Sequence, residues 1–202
     1  MSGPGRARAH VESPDTVVAQ RFVRSNEVAE SFFETHASRV STTCLAMARR
    51  FRKGGRLLVF GSGAAATDAH HVSVEFVHPV LVGKRALPAI ALTADAAMLS
   101  SASAGSAPDE MFARALGVLA RREDIAMGIS HGAPCAAVSR ALAAAEDAGL
   151  LCVRLMGAPA AGTGDHDFVI ESADPLIVQE IQETLYHVCW ELVHVFLDGG
   201  VT

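Results

Sequence analysis

The chain lacks an excess of positive charge: 17 lysines and arginines stand against 22 acidic residues, for a formal net charge of -5. That balance offers no electrostatic footprint for nucleic acid or for an anionic membrane, so an anionic small molecule would have to be met by local donors. Cysteine is scarce as well. Cys44, Cys135, Cys152 and Cys189 are widely spaced with no CxxC pair, which excludes a zinc ribbon and a disulfide framework and suits a reducing cytoplasm. No run of about 18 apolar residues occurs, and the opening MSGPGRARAHVES has charge, glycine and proline where a signal peptide has its apolar core. Neither a membrane span nor a secretory leader is expected, and no internal repeat stands out. What remains is a chain of 202 residues, 50% of them hydrophobic, enough for one domain with a sizeable core. Residues 1–13 are expected to be a disordered tail and 14–198 a single domain.

Apolar positions from Thr16 to Arg52, among them Val17, Val18, Phe22, Val23, Val28, Phe32, Phe33, Val40 and Leu45, recur at helical spacing and predict one or two long helices. Gly54-Gly55 then gives way to Leu57-Leu58-Val59-Phe60, a short apolar run ended by Gly61-Ser62-Gly63, which reads as a buried strand and a tight loop. Further short runs at Leu87–Leu92, Ile125–Ile129, Leu151–Leu155 and Phe168–Ile170 alternate with helical or loop-like sequence. Alternation of this kind predicts a parallel sheet covered by helices on both faces. Ala136–Ala148 is alanine-rich and helical in pattern. A last helix is predicted from Pro175, a residue tolerated in a first turn, to about Leu197 before Gly199-Gly200.

The stretch GSGAAATDAHHVSVEF follows the first strand, so a glycine-rich turn leads into a helix and presents backbone N–H groups to an anion. A plain tight turn is the alternative for Gly-x-Gly alone. His71 and Glu75, four apart, project from one face of that helix, a spacing that suits a divalent metal such as zinc and leaves the carboxylate available as a base. An isolated His-x-x-x-Glu is more often a solvated stripe. His70 and His78 fall on other faces as surface or cap residues. The last helix, VQEIQETLYHVCWELVHVFL, carries Gln179, Glu183 and His187 on an otherwise apolar sequence, and buried polar groups need partners. Glu183 and His187 are four apart. Gln179 and His187 are separated by about 12 Å of helical rise, so a shared ion requires the long amide to reach along the helix or a helix end to distort. His194 is read as a satisfied core or interface histidine, and Tyr186 and Trp190 as packing residues.

The order of strand, GSG loop, Asp68-Ala69-x-His71-x-x-x-Glu75, LPAIALTAD, EDIAMGIS and VQEIQETLYHVCWELVH resembles phosphoheptose isomerases of the sugar isomerase (SIS) fold over about residues 20 to 197. The resemblance implies a three-layer α/β fold with a five-stranded parallel sheet, and a homotetramer with active sites between subunits. It implies zinc on His71, Glu75, Gln179 and His187, with Glu75 and His187 as the acid/base pair. Ligands of these types also accept manganese, iron or nickel. Substrate contacts then fall to Gly61, Ser62, Gly63, Asp68, Ser130 and His131. The implied reaction turns sedoheptulose 7-phosphate into heptose 7-phosphate through an enediol.

The chain also departs from that family. Family members place serine in the first loop and Ser-Thr-Ser-Gly-x-Ser after the third strand to hold the sugar phosphate; here the loops read Gly61-Ser62-Gly63-Ala64-Ala65-Ala66-Thr67 and Ser130-His131-Gly132-Ala133-Pro134-Cys135. Ser130 survives and His131 offers a cationic donor, but Pro134 removes one N–H from the following helix start. An Asn-Asp pair after the second strand is replaced by Ala104-Gly105, and an aspartate before the final glutamine by Leu176. Two further readings follow from these losses: a non-catalytic SIS module that keeps the metal and serves as an assembly or regulatory partner, and an enzyme for a less charged substrate.

Overall fold

A computed structural model describes residues 13–105, 107–132, 135–158 and 164–199. Most of the expected tail, residues 1–12, lies outside the described residues, as do Ala133 and Pro134. One helix rather than two, α1 (Pro14–Arg52, 39 residues), opens the chain. Ser13 caps it, its hydroxyl oxygen accepting the Thr16 N–H at 3.2 Å, Pro14 occupies the first turn, and Arg49, Arg50 and Arg52 lie at the negative end of the helix dipole. Its first turns are not core. Val18 and Phe22 are 70% and 69% exposed, and burial begins at Phe32.

The remaining elements follow as β1 (Leu57–Gly61), α2 (Ala65–Val77), β2 (Ala89–Ala91), α3 (Ala96–Ala104), α4 (Met111–Leu119), β3 (Ile125–Ser130), α5 (Ala136–Asp147), β4 (Leu151–Gly157), β5 (Asp167–Ile170) and α6 (Pro175–Asp198). The run read as a strand over Leu87–Leu92 is shortened to three residues, because Leu92–Ala94 winds into a single 3₁₀ turn ahead of α3. The five strands form one parallel sheet in the order β2-β1-β3-β4-β5.

Period-two alternation divides the strand side chains between two cores. Leu57, Val59, Ile125, Met127, Val153 and Leu155 face α1, α2 and α6, where Phe51, Val72, Phe76, Ile181 and Leu185 meet them. Leu58, Phe60, Ala126 and Cys152 face the opposite layer, against Phe112 and Leu116 of α4 and Val138 and Leu142 of α5. The amino ends of β1 and β3 are tied by the fully buried Asp124, whose carboxylate accepts the Arg56 backbone N–H at 2.8 Å, Arg56 Nη2 at 2.7 Å and the Arg121 N–H at 2.9 Å. Burial alone would push this carboxyl up, but the hydrogen bonds from the Arg56 side chain and backbone and from Arg121 outweigh it and hold the group below the usual carboxylate range. All four cysteines are free thiols, and among the described residues no helix is long and apolar enough to cross a membrane.

Candidate active site at the sheet switch point

Because β1 and β3 are neighbours, the chain leaves them in opposite directions: α2 returns on one face toward β2, and α5 on the other toward β4. Diverging connections open a crevice beyond the carboxyl ends of the two strands, the usual ligand position in an open α/β sheet. Gly61, Ser62 and Gly63 follow β1 there, and His131 and Gly132 follow β3. Gly61 is required at the β1 end, since a Cβ there would stand 2.5 Å from the Ala65 carbonyl oxygen, and Gly63 adopts a left-handed φ of 62°. Of the first N–H groups of the following helix, those of Ala66 and Thr67 donate to the Gly63 and Ala64 carbonyls at 3.1 and 3.0 Å. Hydroxyls there are few: Ser62 is exposed, and Thr67 donates its hydroxyl to the Ala64 carbonyl at 2.6 Å.

Along one side of the crevice α2 lies against α6. His71 is the centre of the cluster between them. Its Nε2 is 3.4 Å from Glu75 Oε1 and 3.5 Å from His187 Nε2. Its Nδ1 is 2.9 Å from the Tyr186 hydroxyl and 3.6 Å from Glu183 Oε1. Contacts of 3.4 and 3.5 Å are too long for good hydrogen bonds. They do match the edges of a coordination tetrahedron: with zinc bonds of about 2.0–2.1 Å, neighbouring ligand atoms stand about 3.3–3.4 Å apart. Among the described residues, the side chains that each bring a ligand atom within 4.8 Å of the others are His71, Glu183 and His187, so Glu183 joins two of the ligands that the resemblance implies, while Glu75 stands beside His71 alone.

Gln179, Asp68 and His131 form a second, adjoining group. Gln179 Nε2 donates to Asp68 Oδ1 at 3.0 Å, and Asp68 Oδ2 is hydrogen-bonded to the His131 ring Nε2. Asp68, expected among the substrate contacts, is 4% exposed and has both oxygens engaged within the chain. Its position makes it a clamp between the β3 loop and α6. With its nitrogen bonded to Asp68, Gln179 retains the amide oxygen as its ligand atom. Ser130 is buried, and its carbonyl accepts the Gln182 side-chain N–H at 3.0 Å, which anchors the second loop to α6.

Sequence reasoning passed over two contributors. Tyr186 was assigned to packing, and its ring is indeed 1% exposed, but the hydroxyl bonds to His71. Burial first, then the carboxylates of Asp68, Glu183 and Glu75, pushes the phenol well up, so Tyr186 keeps its proton. The signal was available, because a buried tyrosine hydroxyl needs a partner. Gln182 was not singled out, and nothing in its helical setting distinguishes it from a surface glutamine. Three other histidines singled out in the sequence stand outside the cluster: His78 caps the carboxyl end of α2, His70 is exposed, and buried His194 places its ring nitrogens 2.8 and 2.9 Å from the Trp190 and Arg85 carbonyl oxygens.

A parallel sheet whose strand order reverses at β1 and β3, with helices on both faces, is an open α/β domain. The sequence profile of a family described as the SIS domain matches residues 22–157. The phosphoheptose isomerase of Thermodesulfovibrio yellowstonii is 32% identical over 179 residues, covering 87% of this chain and 89% of the relative. That of a Roseiflexus species is 34% identical over 172 residues, covering 84% and 87%. Among solved structures, a phosphoheptose isomerase from Francisella tularensis superposes with a TM-score of 0.84 at 20% identity over 91% of this chain and 99% of that one. One from Neisseria gonorrhoeae gives 0.81 at 22% identity over 90% and 98%. The chain belongs to the phosphoheptose isomerase family of SIS-domain proteins.

Proposed function

We propose that the chain is an aldose-ketose isomerase that converts sedoheptulose 7-phosphate to a heptose 7-phosphate. The observation that carries this reading is the placement of a carboxylate and an imidazole, Glu75 and His187, on either side of His71 Nε2 at 3.4 and 3.5 Å. Glu75 takes the proton from C1 while His187 protonates the carbonyl oxygen on C2, giving the enediol. The proton on Glu75 then passes to C2, and His187 recovers a proton from the C1 hydroxyl as the new carbonyl forms. General acid–base transfer of this kind contributes about 10²–10⁴-fold. A divalent ion, zinc or a similar transition metal, would be held by His71, Glu75, Gln179 and His187, the set that the family resemblance implies, and when bound would supply polarisation of the two sugar oxygens. The phosphate end of the substrate falls to the loop around Gly61, Ser62 and Gly63, Ser130 and the His131 ring held by Asp68.

The proposal includes a homotetramer in the cytoplasm. Four free thiols suit a reducing compartment, and Val17, Val18, Phe22 and Val23 leave an apolar stripe on α1 for another subunit. A second reading, a metal-holding module without turnover, is favoured by the hydroxyl-poor loop in which Thr67 bonds to the loop's own backbone. One assay separates the two. Zinc-supplemented protein incubated with sedoheptulose 7-phosphate is expected to form the aldose, with activity abolished in Glu75→Gln. Correct folding and stoichiometric metal without turnover would leave the second reading standing and defeat the first.

A further inference from the structure

A cavity of about 580 Å³ lies between the second half of α1 and the connection that enters β5. The crevice described above opens beyond the carboxyl ends of β1 and β3. This cavity borders Asp165 and His166, which precede the amino end of β5, so it stands at the other end of the parallel sheet. Its α1 wall is a single stripe. Arg39, Thr42, Ala46 and Arg49 follow one another at intervals of three, four and three residues, which keeps them on one face of the helix. The two arginines are ten residues apart, about 15 Å of helical rise, and the lining between them includes the apolar Leu45 and Ala46.

Neither arginine is matched by a carboxylate among the described residues. Arg39 Nη1 donates to the Asp167 backbone carbonyl at 3.0 Å, an uncharged acceptor, while the Asp167 carboxylate is engaged by Arg154 at 3.0 Å and by the Gly164 N–H at 2.9 Å. Arg49 makes no side-chain hydrogen bond or ion pair with any described residue. The helix dipole favours a cation at Arg49, in the last turn, but gives no reason for one at Arg39. His166 adds a donor. The buried Thr43 hydroxyl, 2.8 Å from His166 Nδ1, has no other side-chain partner among the described residues, and its proton needs an acceptor; Nδ1 accepts it, which leaves the ring proton on Nε2. Burial pulls this imidazole below its ordinary range against the opposing pull of Asp165 and Asp167, so the positive charge of the cavity is that of its arginines. Exposed Asp165 is the one acid among the described lining residues. We propose that this cavity is a second ligand site, for a phosphorylated small molecule of nucleotide size. Its phosphate oxygens meet the planar guanidinium forks, and its uncharged part lies against Leu45 and Ala46. The volume falls within the range of about 300–1,000 Å³ usual for such sites.

The test needs neither turnover nor metal. Calorimetric titration of the metal-free full chain with adenosine diphosphate is expected to show saturable binding that weakens as salt is added. Arg49→Gln removes a charge on which no described residue depends, and it is expected to weaken binding about tenfold, as is Arg39→Gln. Asp165→Asn removes the opposing charge at the rim and should tighten binding about threefold. His131→Ala, in the crevice at the other end of the sheet, should leave the affinity unchanged. Inorganic pyrophosphate is expected to compete but to bind more weakly, since it has nothing to set against Leu45 and Ala46. Absence of saturable binding would overturn the proposal. So would binding that survives Arg49→Gln, or that is lost in His131→Ala, since either result places the nucleotide elsewhere. Light scattering on the same samples is expected to give the same subunit count for Arg49→Gln as for the unaltered chain. A changed count would make the stripe an interface between copies and refute the ligand site.

Discussion

The two ends of the crevice are built differently. At one end His71, Glu75, Glu183, Tyr186 and His187 all project from α2 and α6, where backbone hydrogen bonds and a packed core hold each Cα. At the other end Gly61, Ser62 and Gly63 and the stretch Ser130-His131-Gly132 lie at or beyond strand ends, held by a few side-chain bonds. Helix-borne groups keep their geometry when neighbouring loops change, whereas loops tolerate substitution and carry the specificity of a site. The residues to which the resemblance assigns the chemistry lie on the helices, and the departures from the family gather mostly on the loops. Asp68 joins the two ends, because it sits on α2 and holds both the loop residue His131 and the helix residue Gln179.

The largest effect is expected at the helix end. Glu75→Gln should lower kcat about 10³-fold with little change in KM, since the amide cannot carry the proton. Steady-state rates on sedoheptulose 7-phosphate measure it; a large KM change with kcat intact would erase the distinction between the ends. Next comes a site outside the crevice. Asp124→Asn breaks the buried pair with Arg56 and is expected to cost about 3 kcal/mol in urea unfolding while the activity of the folded fraction is unchanged. The pH dependence has a definite sign. Asp124 is depressed in the folded state, so its contribution is present above the ordinary carboxylate pKa and is lost as the pH falls through the lower, folded one. The Asn variant should therefore lose less stability on acidification than the natural protein.

Asp68→Asn is the variant that tests the connection between the two ends. Losing the charge that holds His131 while keeping a hydrogen-bonding side chain is expected to cost about 2 kcal/mol of stability and to weaken both zinc affinity and substrate KM. An effect confined to one of the two would separate the regions that Asp68 is argued to join. The smallest effect belongs to the loop end alone. His131→Ala should raise KM about tenfold, roughly 1.4 kcal/mol, with kcat and zinc affinity nearly unchanged. A kcat loss matching that of Glu75→Gln would move His131 into the proton-transfer machinery.

Much of the fold was legible because its signals are local. Leu57–Phe60 closed by Gly61, and Pro175 and Gly199 bracketing α6, mark a buried strand and a helix by chain chemistry alone. The second strand was overread because the apolar residues of Leu87–Leu92 serve two roles, three in the sheet edge and Leu92 in the core under a 3₁₀ turn. Long α1 misled in another way. Its first turns have the same apolar periodicity as its last, yet only the later turns find a sheet to cover. In the site, the i, i+4 pair His71 and Glu75 was readable, while the engagement of Gln179 with Asp68 and of Tyr186 with His71 was not.

The sequence by itself determined which side chains share a face of α2 or of α6, because the 3.6-residue turn places residues three and four apart side by side whatever the rest of the chain does. It also determined, through glycine and short apolar runs, where strands end and where a crevice could open. Only the tertiary structure decided which nitrogen of His71 faces Glu75 and His187 and which faces Tyr186 and Glu183. Those α2–α6 contacts join residues more than a hundred positions apart, 115 in the case of Tyr186 and His71. No local propensity spans that interval; the distance between the two helices is set by the shared core beneath them, where Val72 and Phe76 pack in one cluster with Ile181 and Leu185.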